Sequence, residues 1–177
     1  MDIGDTQPRG ANDPLARTEL TFLLGMAFQL VLGEFVRRVS AAGYADLRPL
    51  HGMVFQALRG PGATSTELAE RLGVTKQAAG QLVDDLERRG YVRREPHPAG
   101  GRRRLVVLTD NAHRHLAVAG RILHELEAEL AQRLDAQHGQ HGPGEEPAAD
   151  LAGTRVELAR LIRALAGDAV PPLRPIW

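Results

Sequence analysis

Apolar residues recur at helical spacing along most of this chain. Between positions 18 and 39 they fall at Leu20, Leu23, Leu24, Ala27, Phe28, Val31, Phe35 and Val36. That stripe is too wide for one small partner, so a long helix buried on several sides is predicted. A second helix is expected over 45–58, through Leu47, Leu50, Val54, Phe55 and Leu58, and Arg59-Gly60-Pro61-Gly62 stops it. Thr64-Ser65-Thr66-Glu67 has the spacing of a capping box, in which hydroxyl and carboxylate satisfy each other's orphan amides, and predicts a short helix Ser65–Leu72 closed by Gly73.

From 75 to 89 the helical period resumes, with Ala79, Leu82, Val83 and Leu86 on one face and Gln77, Gln81, Asp84 and Arg88 on the other. Gly90 ends that helix. Two β-like runs follow, 91–94 and 103–108, separated by the turn-rich stretch Glu95 to Gly101, which reads as a hairpin with a loose tip. Thr109-Asp110 can cap a long helix to about Gln137. Residues 138–149 read as a flexible linker, and a last helix runs from about Asp150 to near Gly167. Segments 1–17 and 168–177 read as tails, the first disordered.

Composition narrows the picture. With aromatics at only 4% of 177 residues, the core must be built mainly by aliphatic helices, so the expected class is mostly α. The absence of cysteine rules out disulfides, thiolate metal sites and thiol redox switches. Among the seven histidines, His113 and His115 fall on different helical faces and make no compact chelate, so no metal is expected and the histidines read as solvated or capping side chains. No Gly-rich phosphate loop, nucleophile elbow or metalloprotease motif is present, and neither an enzyme nor a cofactor is expected. The opening residues lack the apolar stretch of a secretion signal, which makes the cytoplasm the expected location. The most apolar segment, 20–33, falls short of the roughly 20 residues a bilayer needs and is closed by Glu34, Arg37 and Arg38, so no membrane contact is expected.

Charge brings in function. The chain is neutral overall, yet Arg88, Arg89, Arg93, Arg94, Arg102, Arg103 and Arg104 lie within seventeen positions that hold one acid, Glu95. Clustered guanidiniums fork onto phosphate oxygens and base edges at every accessible pH. The balancing acids, Glu125, Glu127, Glu129, Asp135, Glu145, Glu146 and Asp150, lie later in the chain, and such segregation favours oriented docking. Helix, tight turn, helix and basic hairpin in that order is a physical recipe for reading duplex DNA: the second helix enters the major groove and the hairpin reaches the minor groove or the backbone. The expected contacts are Thr64 and Ser65 at the first helix, then Thr75, Lys76, Gln77, Gly80, Gln81, Asp84 and Arg88, with Arg102, Arg103 and Arg104 on the hairpin. Gln77 and Gln81 are the base readers. One of Arg103 and Arg104 should face inward or along the hairpin, because strand neighbours alternate.

The stretch TELAERLGVTKQAAGQLVDDLERRGYVRREPHPAGGRRRLVVLTDNAHRHL resembles the MarR family of winged-helix regulators, over about Leu50 to Leu116. The resemblance implies a winged helix-turn-helix lobe over 45–108, a dimerisation helix over 18–44 and further dimerisation helices over 109–167. It implies a homodimer on a pseudo-palindromic site in double-stranded DNA, acting as a repressor released by a small aromatic or anionic effector. The family's wing typically carries Asp-x-Arg, with the aspartate orienting an arginine into the minor groove; here Arg102 is retained, but Gly100 stands where the aspartate would be. Candidate effector-lining residues are Phe22, Met26, Phe28, His51, Phe55 and His113, although the same residue types also serve as plain core. The first helix and the last two carry more apolar surface than a lone winged helix covers, so they either pair with a second copy or fold back on their own lobe; the width of the first stripe favours the pair. The rival functional reading is a helical dimeric adaptor whose lobe binds protein and no longer DNA.

Overall fold

The computed structural model describes residues 13–101, 103–138 and 150–167. Of the expected features, the linker beyond His138, the tail 168–177 and Arg102 lie outside the described residues. The N-terminal tail is corrected in part: Asp13 caps a 3-10 turn, Pro14–Arg17, by accepting from the Leu15 amide at 2.9 Å.

Among the described residues, six α-helices and one hairpin follow. Helix α1 is Leu20–Val39 and runs into a single π-type turn, Ser40–Tyr44, where Gly43 takes φ +97° and kinks the chain. Helix α2 is Pro49–Ala57, later than the 45–58 expected, because Pro49 lacks the amide that a preceding turn would need and fits the first helical position instead. Helix α3, Ser65–Leu72, and helix α4, Lys76–Arg88, are joined by Gly73 in the left-handed conformation. Strands β1, Val92–Pro96, and β2, Arg104–Leu108, pair antiparallel with Val92 opposite Leu108 and Pro96 opposite Arg104. Helix α5 spans Asp110–His138 and helix α6 Leu151–Ala166, the latter capped by Asp150.

The lobe from α2 to β2 has one core. Phe55, Val54, Leu58, Leu68, Val83, Leu86 and Val106 are fully enclosed there, with Leu72, Tyr91, Val92 and Ala112 around them. Ala63 bridges Val106 and extends the hairpin by one rung. The approach is close enough that a Cβ on Gly62, which has φ +87°, would collide with the Val106 carbonyl. This bridge fixes the wing against the start of α3. Thr109 fixes its far end, donating its hydroxyl to the Gly90 carbonyl at 2.7 Å.

Helix α1 departs from its expectation of burial on several sides. Within the chain only Val39 is buried; Phe22, Met26, Phe28 and Leu30 are exposed, as are Val156, Leu158, Ile162 and Leu165 on α6. Among the described residues no element covers that surface. Counting the π turn, Leu20–Tyr44 is 25 residues with a mean hydropathy of 1.5 over its most apolar window, so by length and composition it could span a bilayer, contrary to the shorter estimate from sequence. Its polar end is committed elsewhere. Glu34 accepts from Arg37 and Arg38, hydrogen bonds that hold its carboxyl down to about 2, and Arg38 donates to Glu129 of α5 at 2.7 and 2.8 Å.

Candidate nucleic-acid interface

The site is assembled from three termini. At the first, Thr64 and Glu67 form the reciprocal cap: the Thr64 amide donates to Glu67 Oε2 at 2.7 Å and the Glu67 amide to Thr64 Oγ1 at 3.3 Å. Those hydrogen bonds, the backbone one foremost, hold the Glu67 carboxyl below its ordinary value. Capping occupies the Thr64 hydroxyl, and Thr64, Ser65 and Thr66 line an open cleft of about 680 Å³. At the second terminus Thr75 caps α4 through the Ala78 amide at 3.1 Å, leaving the first amides of α4 directed outward beside Lys76. The third is the wing, which places Arg94, Arg103 and Arg104 on the opposite wall of the same cleft.

Five expected contact residues, Thr64, Ser65, Lys76, Arg103 and Arg104, therefore share one cleft, joined by Thr66, Glu67 and Arg94. The others, Thr75, Gln77, Gln81, Asp84 and Arg88, are exposed on α4, with Gly80 half-buried among them. Both Arg103 and Arg104 are exposed, and Arg104 lies along the hairpin, donating to the Arg94 carbonyl at 3.2 Å.

The arginine cluster is less free than its sequence implies. Arg94 donates to Asp84 at 2.5 Å and to Glu87, whose other oxygen accepts the Arg94 amide at 3.1 Å. Burial opposes the charge on Arg94, but the two carboxylates outweigh it and its pKa rises. Arg89 donates to Asp85 at 2.8 Å and to the Asp46 carbonyl at 3.0 Å; Arg93 donates to Glu95 at 2.7 Å. Arg88 reaches Asp85 at 2.9 Å yet keeps three-quarters of its side chain in solvent. Asp84 thus serves to anchor the wing to α4. Sequence proximity counted one acid against seven arginines because Asp84, Asp85 and Glu87 precede the window and Asp46 lies far from it.

At the wing tip Gly100 and Gly101 take φ +74° and +80°. A residue with a β-carbon would be strained there, which gives a backbone reason for glycine in place of aspartate at 100. The turn is closed by the Gly100 amide on the His97 carbonyl at 2.8 Å.

The effector candidates are scattered. Phe22, Met26 and Phe28 stand exposed on α1 and His113 is exposed on α5, whereas Phe55 and His51 are enclosed in the lobe, as plain core. His51 also borders a second, smaller cleft of about 340 Å³ with Gln81 and Asp85. Its Nδ1 accepts the Arg48 amide at 3.2 Å and its Nε2 lies 3.5 Å from Asp85. His115, expected to be solvated, is instead buried. Among the described residues no group of three metal-ligating side chains is gathered.

Comparison with known proteins agrees with this geometry. The sequence model of the MarR family matches residues 46–103, the stretch that builds the lobe and most of its wing. Those residues belong to the MarR family. The transcriptional regulator HosA of Escherichia coli O111:H- is 36% identical over 77 residues, which cover 44% of this chain and 57% of that regulator. The chain thus matches little more than half the length of this curated relative. Among solved structures, a Staphylococcus aureus MepR–DNA complex superposes with a TM-score of 0.59 at 18% identity, covering 84% of this chain and 98% of the other. CouR from Rhodococcus jostii RHA1 bound to p-coumaroyl-CoA gives 0.56 at 22%, covering 85% and 94%. At such identities the two structures speak to the fold: the MarR winged helix, mostly α with a two-stranded wing and flanking helices.

Proposed function

We propose that this chain is a sequence-specific, double-stranded DNA-binding transcriptional regulator of the cytoplasm, a homodimeric repressor released by a small ligand. The observation that carries the reading is the one open cleft that Ser65, Thr66, Lys76 and the wing arginines line together, beside the first amides of α4. Hydroxyls, cations and helix N-termini converging on one groove fit a phosphate backbone, with α4 laid in the adjoining major groove. The MarR lobe and the likeness to a DNA-bound MepR structure support this. The uncovered apolar faces of α1 and α6 support pairing with a second copy, which would set two α4 helices about one DNA turn, roughly 34 Å, apart on a pseudo-palindrome. An aromatic or anionic effector between lobe and dimerisation helices, near Phe22, Met26 and His113, is in keeping with the fold shared with ligand-bound CouR.

One observation favours the adaptor reading: Arg89, Arg93 and Arg94 are already neutralised by carboxylates. Salt dependence separates the two. Fluorescence anisotropy on a labelled genomic-fragment pool should give a log–log slope of about −4 or steeper, each neutralised phosphate contributing about 0.9. A flat profile, or no binding at low salt, would leave the adaptor.

A further inference from the structure

Once the ion pairs are drawn, the outward face of α4 has few free polar groups. Asp84 is held by Arg94, and Arg88 by Asp85. Gln77 and Gln81 remain exposed, with no hydrogen bond from either side chain among the described residues. Between them lies Gly80, inside a 13-residue helix. Its φ is not positive and a Cβ built on it meets nothing within 4 Å, so neither the backbone nor the packing of the free chain requires glycine there. Glycine inside a helix is disfavoured relative to alanine, and this one gains no compensating contact within its own molecule. Gly25, Gly33, Gly52 and Gly120 are also open, but they belong to other helices; Gly80 alone sits amid the exposed amides of α4.

We infer that the centre of each half-site is read as A·T pairs, with Gln77 and Gln81 each pairing to an adenine and the bare backbone at Gly80 receiving a thymine methyl. This rests on the DNA reading proposed above. A glutamine amide offers one donor and one acceptor side by side. Adenine presents the complementary pair, N7 and the N6 amino group, whereas guanine presents two acceptors. Residues three and four apart are neighbours on a helix surface, so Gln77 flanks both Gly80 and Gln81, which lie on either side of it along the exposed face. The thymine 5-methyl is the apolar projection of the major groove, and a β-carbon at position 80 would occupy the space it needs. Lys76 and Arg88 stand at the two ends of α4 and no cation lies between them, so nothing at the middle of the helix favours guanine.

The experiment is a methyl exchange. The full chain first selects duplexes about two helical turns long from a random pool, and the enriched duplex is the probe. Its half-site centres should hold A·T pairs, and Gln77→Ala and Gln81→Ala should each relax the preference at one position by about five-fold to a hundred-fold. Replacing the facing thymine by deoxyuridine, which removes only the methyl, should weaken wild-type binding about four-fold. Gly80→Ala should weaken binding to the thymine duplex, regain affinity on the deoxyuridine duplex, and melt at a higher temperature than wild type because alanine suits the helix better. Equal affinity of Gly80→Ala and wild type for both duplexes overturns the inference, as does enrichment of G·C pairs opposite α4. Failure to enrich any sequence would overturn the DNA reading as well, so the two failures are told apart.

Discussion

His115 shows how much one buried residue can carry. It sits among Tyr44, Phe55 and Tyr91 at ring-centroid distances of 4.7, 5.4 and 6.3 Å, and its Nδ1 has no hydrogen-bond partner among the described residues. Burial holds it, and likewise His51, below the ordinary histidine value of 6.5; Asp46 opposes this at His115, and Asp85 and Asp46 oppose it at His51, where Arg89 and Arg48 add to the depression. The sign follows from linkage. Below pH 6.5 the unfolded chain takes up protons that the folded chain resists, so stability falls as the pH falls from there toward the depressed folded values. Each histidine contributes a slope of up to about 1.4 kcal/mol per pH unit. Chemical denaturation between neutral pH and pH 5 should show this loss, and His115→Phe, which keeps a ring in the cage, should remove about half of it. An unchanged slope in that variant would assign the effect to other groups. From sequence His115 read as solvated, although its spacing from Ala112, Ile122 and Leu126 puts it on the helix face that proves to be buried.

At the scale of elements, short-range chemistry was legible and cross-element pairing was not. The cap at Thr64 and Glu67, the stop at Gly73 and the polar face of α4 all follow from neighbours within four residues, and each stands where the pattern put it. Thr64→Ala should therefore cost about 1 kcal/mol in urea unfolding, since it leaves the Glu67 amide without its acceptor. A loss below a few tenths would mean that solvent replaces the cap. The wing is different. Arg94 meets Asp84 and Glu87 of α4, Arg93 meets Glu95 of its own strand, and Arg89 at the end of α4 meets Asp85 and Asp46, so the apparent excess of positive charge is realised mainly at Lys76, Arg103 and Arg104. The start of α2 was misplaced for a local reason, the missing amide of Pro49.

For the whole molecule, the decisive feature is apolar surface left uncovered among the described residues. Phe22 and Leu30 are 64% and 75% exposed, and Leu165 of α6 is 81% exposed. Contiguous exposed apolar faces of this kind mark interaction surfaces. Phe22→Glu combined with Leu30→Glu should shift the species seen in sedimentation from dimer to monomer and reduce binding to a two-half-site duplex, while leaving the lobe's far-ultraviolet helix signal intact. Persistence of the dimer would place the interface elsewhere. Helix α5 is tied to α1 through Arg38 and Glu129, and Thr109 just before α5 is tied to the Gly90 carbonyl, so in the proposed dimer a change in the packing of α1 would have a direct mechanical route through α5 to the wing base.

The sequence by itself determined the order of helices and hairpin, their caps and stops, and which residues of α4 face outward, because each depends on periodicity or on hydrogen bonds only a few residues apart. Tertiary structure alone decided which arginines remain free, that Asp84 holds the wing, that His115 is enclosed, and that Ser65, Thr66, Lys76 and Arg103 border one cleft. Those outcomes depend on which elements come into contact, and distance along the chain carries no information about that.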